Sequence, residues 1–310
     1  MKHPAWRNGA WLALPLGILA LVAQGGIPRT WTGGGGDGNW FNAANWDPAD
    51  NYPIEGDTAI ISNDLVLLNA STESLQALFI GEGTLFFTNW TTTLTADTVT
   101  IASNGCLKPA AAFVMDVDMS NRVSVVCTQL TIEAGGSIDA NGLGYGCIVT
   151  TTPKTGSGPS PGLSTATRGS GAGHGGRGGS STERSGGAIF GDPDNAVWPG
   201  SSSAGRDGPG SGGGAILIQA DRVTMNGAIQ ANGQSGSGSY GGGGAGGAIS
   251  ITCSTLTGSG AISASGGSGA HATQDGGGGG GRIAIHCPNL SPELGITFSA
   301  AGGARAYRDP

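Results

Sequence analysis

Lysine is scarce in this 310-residue chain, occurring only at positions 2, 108 and 154, and all charged residues together make up 11%. That excludes a protein that grips nucleic acid by charge, because phosphate contacts need dense Lys and Arg. Aromatic residues are 6%, which with so little lysine disfavours a helical protein or a conventional enzyme domain. Long apolar runs are missing as well. The one uncharged apolar stretch, Trp11 to Val22, is about twelve residues long, where a bilayer span needs about twenty. The five cysteines, Cys106, Cys127, Cys147, Cys253 and Cys287, follow no metal-ligand spacing, so no metal site is expected.

What the chain has instead is glycine, 62 residues of it, and a repeat. Gly214-Ala215-Ile216-Leu217-Ile218 returns 33 residues later as Gly247-Ala248-Ile249-Ser250-Ile251, and after a further 34 as Gly281-Arg282-Ile283-Ala284-Ile285. The alternation within each copy is the period of a strand. The second half of the unit recurs too: Val223, Gly227, Ile229, Ala231 and Gly233 correspond to Leu256, Gly260, Ile262, Ala264 and Gly266, and Ile132, Gly136, Ile138, Ala140 and Gly142 carry the same internal spacing. Val99-Thr100-Ile101 and Leu78-Phe79-Ile80 open earlier, less regular copies. A unit of two or three short strands that cannot bury a core alone stacks on its neighbours. The expected fold is all-β, a right-handed parallel β-helix (β-solenoid) with glycine-rich loops. Ile216, Ile249 and Ile283 should form one buried column, and Ile229, Ile262 and Phe298 another.

The chain divides into five stretches. Residues 1–23 read as a signal peptide, with Lys2, His3 and Arg7 ahead of the apolar run and cleavage after Ala23. An uncleaved anchor is the alternative reading, and no cysteine at the cleavage site invites lipidation. Cleavage leaves 12 basic groups against 21 acidic, a formal charge of −9 suited to an extracellular surface. Residues 24–60 form a Trp/Gly/Asn-rich N-terminal cap, 61–142 the irregular β-solenoid rungs, 143–211 a Gly/Ser/Pro-rich insertion, partly disordered or extended, and 212–310 the regular repeats.

Few residues qualify for chemistry. Trp31, Trp40 and Trp46 among glycines and asparagines read first as a cap over the open end of the solenoid, and alternatively as a glycan-stacking platform. Cys253 and Cys287 hold equivalent positions of adjacent repeats, so their strands run about 4.8 Å apart, which permits a disulfide; a ladder of buried thiols with Ala220 in the preceding copy is equally open. Gly158-Pro159-Ser160-Pro161-Gly162 matches a nucleophile-elbow pattern by letters but lacks the flanking strand and helix. His174, His271 and His286 read as loop or rung residues. Asp221, Arg222, Asp275 and Arg282 do not line up in a column, and the isolated aspartates of the glycine tracts lack the repeated turns of a calcium-binding nonapeptide. No catalytic residue and no cofactor are expected. The glycines are expected to provide positive φ and close approach of stacked loops.

The stretch Trp31-Thr32-Gly33-Gly34-Gly35-Gly36-Asp37-Gly38-Asn39-Trp40-Phe41-Asn42-Ala43-Ala44-Asn45-Trp46, followed by Gly56-Asp57-Thr58-Ala59, resembles the opening of large secreted bacterial surface proteins of autotransporter-like and PEP-CTERM type. Gly173-His174-Gly175-Gly176-Arg177 and the glycines before Ile283 resemble the glycine-rich β-helical modules of the same proteins, although no β-barrel translocator or Pro-Glu-Pro sorting tail is seen. The resemblance implies a place, secreted or at the bacterial cell surface, and an architecture, not a reaction. The expectation is a non-enzymatic structural or adhesive module that meets surface polysaccharide or other matrix components, with no nucleic acid partner and no membrane span after signal cleavage. A carbohydrate-active β-helix, lyase or hydrolase, or a carbohydrate-binding module, is the alternative.

Overall fold

The computed structural model describes residues 26–114, 119–150, 152–165, 168–238, 240–271, 274–290 and 294–304. The expected signal peptide lies outside them. The chain opens with β1 (Pro28–Trp31), a 3-10 turn at Ala43–Asn45 and β2 (Trp46–Asp47), after which strands come in pairs. β3 (Thr58–Ile61) leads to β4 (Leu65–Leu68), β5 (Leu75–Ile80) to β6 (Thr84–Phe87), β7 (Leu94–Ile101) to β8 (Cys106–Pro109), and β9 (Val123–Ile132) to β10 (Ser137–Asp139). A small hairpin, β11 (Ser164–Thr165) and β12 (Arg168–Gly169), intervenes. The pairs then resume with β13 (Ala215–Met225) and β14 (Ala228–Gln230), and with β15 (Ala248–Thr257) and β16 (Ala261–Ser263). β17 (Arg282–His286) and β18 (Asn289–Leu290) share the place of one long strand before β19 (Thr297–Ser299).

The first members of the pairs join one sheet in the order β17-β15-β13-β9-β7-β5-β3-β1-β2, with β18 beside β15, and the second members join another in the order β19-β16-β14-β10-β8-β6-β4. Within both sheets every pairing is parallel except β1 with β2. The chain is all-β with parallel sheets, and successive strands alternate between the two. The sequence repeat is the register: Ile216 pairs with Ile249 and Ile249 with Ile283. Longer columns run through the core, such as Leu78, Val99, Leu130, Val223 and Leu256 in the first sheet, and Val66, Leu85, Leu107, Ile138, Ile229 and Ile262 in the second, all buried.

Two expectations change. The first two short strands of each repeat are one long strand, because the ladder continues past a bend that skips Asp221 and Ser254. Phe298 does continue the Ile229–Ile262 column, but it is 48% exposed because β19 is the last strand of its sheet.

The largest departure concerns glycine. The described part of 143–211 is packed together with the tracts 231–247 and 264–281, and its residues 200–205 are buried. These segments bond with a period of three. Along one of them the amides of Gly242 and Ala245 donate to the carbonyls of Ala204 and Ser201, those of Gly243 and Gly246 to Gly276 and Gly279, and those of Gly244 and Gly247 to Gln234 and Ala231. Gly276 and Gly279 donate onward to Gly169 and Ala172, and Gly278 and Gly281 to Gly267 and Ala264. A strand offers hydrogen bonds in two directions, whereas three directions at three residues per turn is the periodicity of an extended polyproline II helix. Glycine serves close approach here rather than positive φ: Gly171 and Gly243 have negative φ, and a Cβ on either would sit 1.8 Å from a neighbouring carbonyl oxygen, Gly277 or Gly267.

Candidate functional site

The tryptophans gather at the terminal edge of both sheets. Trp31 lies on β1, Trp46 on β2, and Trp40 donates its amide to Leu67 of β4. The rings of Trp31 and Trp46 meet edge to face at 5.1 Å, those of Trp40 and Trp46 at 4.8 Å. Trp46 Nε1–H donates to the Trp40 carbonyl at 2.7 Å and Trp31 Nε1–H to the Asp64 carboxylate at 3.2 Å. All three side chains belong to the main apolar cluster, at 5%, 0% and 1% exposure. The glycan-stacking reading is therefore corrected: buried rings offer no face to a sugar.

The polar residues between these tryptophans are turned inward on one another. The Asp37 carboxylate accepts from the Asn39 amide at 3.0 Å, from Asn45 Nδ2 at 2.7 Å and from Asn42 Nδ2 at 2.9 Å, bonds that hold its pKa below the usual carboxylate value. Asn45, fully buried, accepts from the Gly35 amide and donates to the Asn39 carbonyl. Arg29, singled out by no motif, is 2% exposed and bonds Asp57 at 2.7 Å, Asp50 at 2.6 Å and the carbonyls of Pro48 and Asn51. The side chains of Asp37, Asn42 and Asn45 are thus occupied in holding their own loop.

Cys127, Ala220 and Cys253 occupy successive strands of the first sheet, where Ala220 pairs with both cysteines, and Cys287 follows β17 in the gap before β18. Both thiols of the Cys253–Cys287 pair are free. Burial, with the Cys287 sulfur alongside, pushes Cys253 up to about 12, and burial does the same to Cys127. Such thiols are poor nucleophiles at neutral pH. A shallow groove of about 360 Å³ runs over this column, between Gln219, Asp221 and Ser254.

The histidines do not meet carboxylate side chains in catalytic fashion. His174 is 1% exposed; its Nδ1 lies 2.8 Å from the Gly246 carbonyl and its ring rests on Phe190. Burial, followed by the charge of Arg282, pushes it down to about 4. His271 donates only its backbone amide to Asp275, whose carboxylate also accepts from the Gly169 amide and is raised in pKa by burial. His286 Nε2 faces the Asp194 carbonyl. Among the described residues no three His, Cys, Asp or Glu side chains converge as a metal site. No described helix is long and apolar enough to cross a membrane.

The outer faces carry polar columns. Thr100, Thr131, Thr224 and Thr257 stack along the first sheet. On the second, Lys108 pairs with Asp139 at 2.8 Å and the column continues as Gln230, Ser263 and Ser299. Asn141 Nδ2 bonds Gln230 and Asn232 Oδ1 accepts from the Ser265 amide, tying one repeat to the next. Asp221, Arg222, Asp275 and Arg282 stay apart on different elements: the first two adjoin on β13, Asp275 is buried in a glycine tract, and Arg282 is bound to the carbonyls of Phe190 and Gly191. No protein-family model, curated protein or solved structure matches the chain, so only its own geometry speaks for its function.

Proposed function

We propose that the chain is a secreted, non-enzymatic, right-handed parallel β-helix that serves as a structural or adhesive module of a bacterial cell surface or extracellular matrix. The observation that carries this reading is the pairing pattern: consecutive strands alternate between two parallel sheets, and apolar columns run inward through both without interruption. Crossovers between parallel strands are right-handed almost without exception, which supports the hand. The outward columns of Thr, Gln and Ser suit a stiff, solvated rod rather than a catalytic cleft. Export is supported by the basic residues ahead of Trp11 to Val22 and by the resemblance of the Trp31 to Trp46 stretch to secreted surface proteins.

The test has two parts. Expressed whole in a bacterium, the chain should leave the cytoplasm and start at Gln24 by N-terminal sequencing; a product retaining Met1 in the cytoplasm would overturn the placement. Incubated with acidic and neutral polysaccharides, with and without calcium, the purified protein should release neither unsaturated nor reducing ends. Release abolished by one Asp, Glu or Arg substitution would replace the module by a carbohydrate-active β-helix.

A further inference from the structure

Two thiols face each other across the last rung of the first sheet. β17 has β15 for its neighbour on one side and none on the other, and the ladder between the two runs from Ala248 beside Arg282 to Thr252 beside His286. It resumes with Thr255 beside Asn289 of β18. Between these stretches lie Cys253 and Ser254 on one side and Cys287 and Pro288 on the other, so the register is kept across the gap and Cys287 stands opposite Cys253. Neighbouring strands of a sheet run about 4.8 Å apart, inside the range of about 4.4–6.8 Å between Cα atoms that a disulfide spans. The side chains interact directly: Cys253 is 4% exposed in the main apolar cluster, Cys287 packs against that cluster, and after burial it is Cys287 that keeps the Cys253 thiol protonated.

Neither Cys106 nor Cys127 is placed in this way. Cys127 is one strand further off, with Ala220 between it and Cys253, and Cys106 lies on the second sheet between Thr84 and Ser137. Cys287 is also within reach of a reagent, being half-buried between the exposed His286 and Pro288. The rung that carries it is weakly held by apolar burial: Leu290 and Phe298 are 54% and 48% exposed, where Leu256 and Ile262 in the rung before are at 0% and 1%. A covalent link at this place would tie the end layer to the layer that supports it.

We propose that Cys253 and Cys287 are a redox pair, and that their oxidation to a disulfide outside the cytoplasm staples the last rung to the one before it. The inference rests on the extracellular reading above, because an oxidising compartment closes such a pair and the cytoplasm keeps it reduced. The oxidant is the disulfide of a thiol oxidase or of oxidised glutathione. The Cys287 thiol loses its proton and attacks one sulfur of that disulfide, and the other sulfur leaves as a thiolate. The Cys253 sulfur, losing its proton in turn, attacks Cys287 Sγ in the mixed disulfide and expels the second oxidant thiolate. One S–S bond forms in the protein and one breaks in the oxidant, which takes up the two electrons and the two protons. Held at about 12, the Cys253 thiol is the slower of the two and the one that resolves the mixed disulfide.

The purified full chain, held in oxidised glutathione or in dithiothreitol and then alkylated, tests the proposal by peptide mass spectrometry and hydrogen exchange. In oxidised glutathione the peptides carrying Cys253 and Cys287 should be linked to each other. The amides of β17 should then exchange at least about ten-fold more slowly than in the reduced protein, and dithiothreitol should restore the faster rate. Cys287→Ser should lose both the link and the redox dependence while keeping the thermal midpoint of the reduced wild type, since its side chain is only half-buried. Free thiols at both positions in the oxidising buffer, a link of either cysteine to a different one, equal exchange of β17 in the two states, or a redox dependence that survives Cys287→Ser would overturn the pair. The same alkylation on protein taken directly from cells separates this inference from the reading it rests on. Exported protein with both thiols free overturns the pair, whereas protein that stays in the cytoplasm yet links in oxidised glutathione keeps the pair and overturns the extracellular placement.

Discussion

At the scale of single residues, the glycines differ from one another in what they permit. Gly243 lies where a methyl would meet the Gly267 carbonyl oxygen at 1.8 Å and its carbon at 2.6 Å, and both are backbone atoms that cannot swing away. Gly243→Ala should cost about 3 kcal/mol or more in chemical denaturation, whereas Gly302→Ala, whose Cβ would meet only the Gly278 oxygen at 3.6 Å, should be close to neutral. Equal midpoints for the two variants would refute the tight packing. His174 gives a second residue-scale outcome. Buried and neutral, it titrates at about 4 in the folded protein against an ordinary 6.5. Between those values the unfolded chain binds the extra proton, so stability is intact above pH 6.5 and falls as pH drops toward 4, by about 3 kcal/mol at most. The ring should remain neutral at pH 5.5 by NMR, and His174→Gln should flatten the slope of stability against pH in this window.

At the scale of the strand, one face is indispensable and the other is not. Ile249 sits fully buried between Ile216 and Ile283, so Ile249→Asp places a charge without a partner in an apolar column and should cost about 4 kcal/mol or more. Thr255 lies on the same strand, partly exposed and paired with Arg222, and Thr255→Asp should change stability by no more than about 0.5 kcal/mol. Thermal unfolding of both variants checks the register directly, and an unchanged midpoint for Ile249→Asp would contradict it. At this scale the sequence was highly legible. Residues matched at 33 and 34 places apart are Cα partners in neighbouring strands, because a parallel ladder keeps equivalent side chains of a repeat on one line. The bend at Asp221 was less so, since alternation breaks at a bend and at a true strand end alike.

For the whole molecule the two ends of the sheets are unlike. One is closed by the antiparallel β2 and the tryptophan cluster; at the other, Leu290 and Phe298 are 54% and 48% exposed although their column mates Leu256 and Ile262 are at 0% and 1%. Layers that touch a neighbour on one side only are held less tightly. Hydrogen exchange should accordingly be fastest, among the strands of the two sheets, in the amides of β17 and β19, and slowest in β9 and β13; even protection along the stack would argue against nearest-neighbour stability.

From the sequence alone came the strands, the face each turns inward and the pairing of the regular copies, because side chains of alternating character record a period of two directly. Two things were decided only by the tertiary structure. The glycine tracts pack with a period of three, and glycine has no side chain to write that period into the sequence. Which of the two readings of the tryptophans holds, buried cap or open platform, depends on strands β3 and β4 lying beneath their loop rather than on the spacing of the rings.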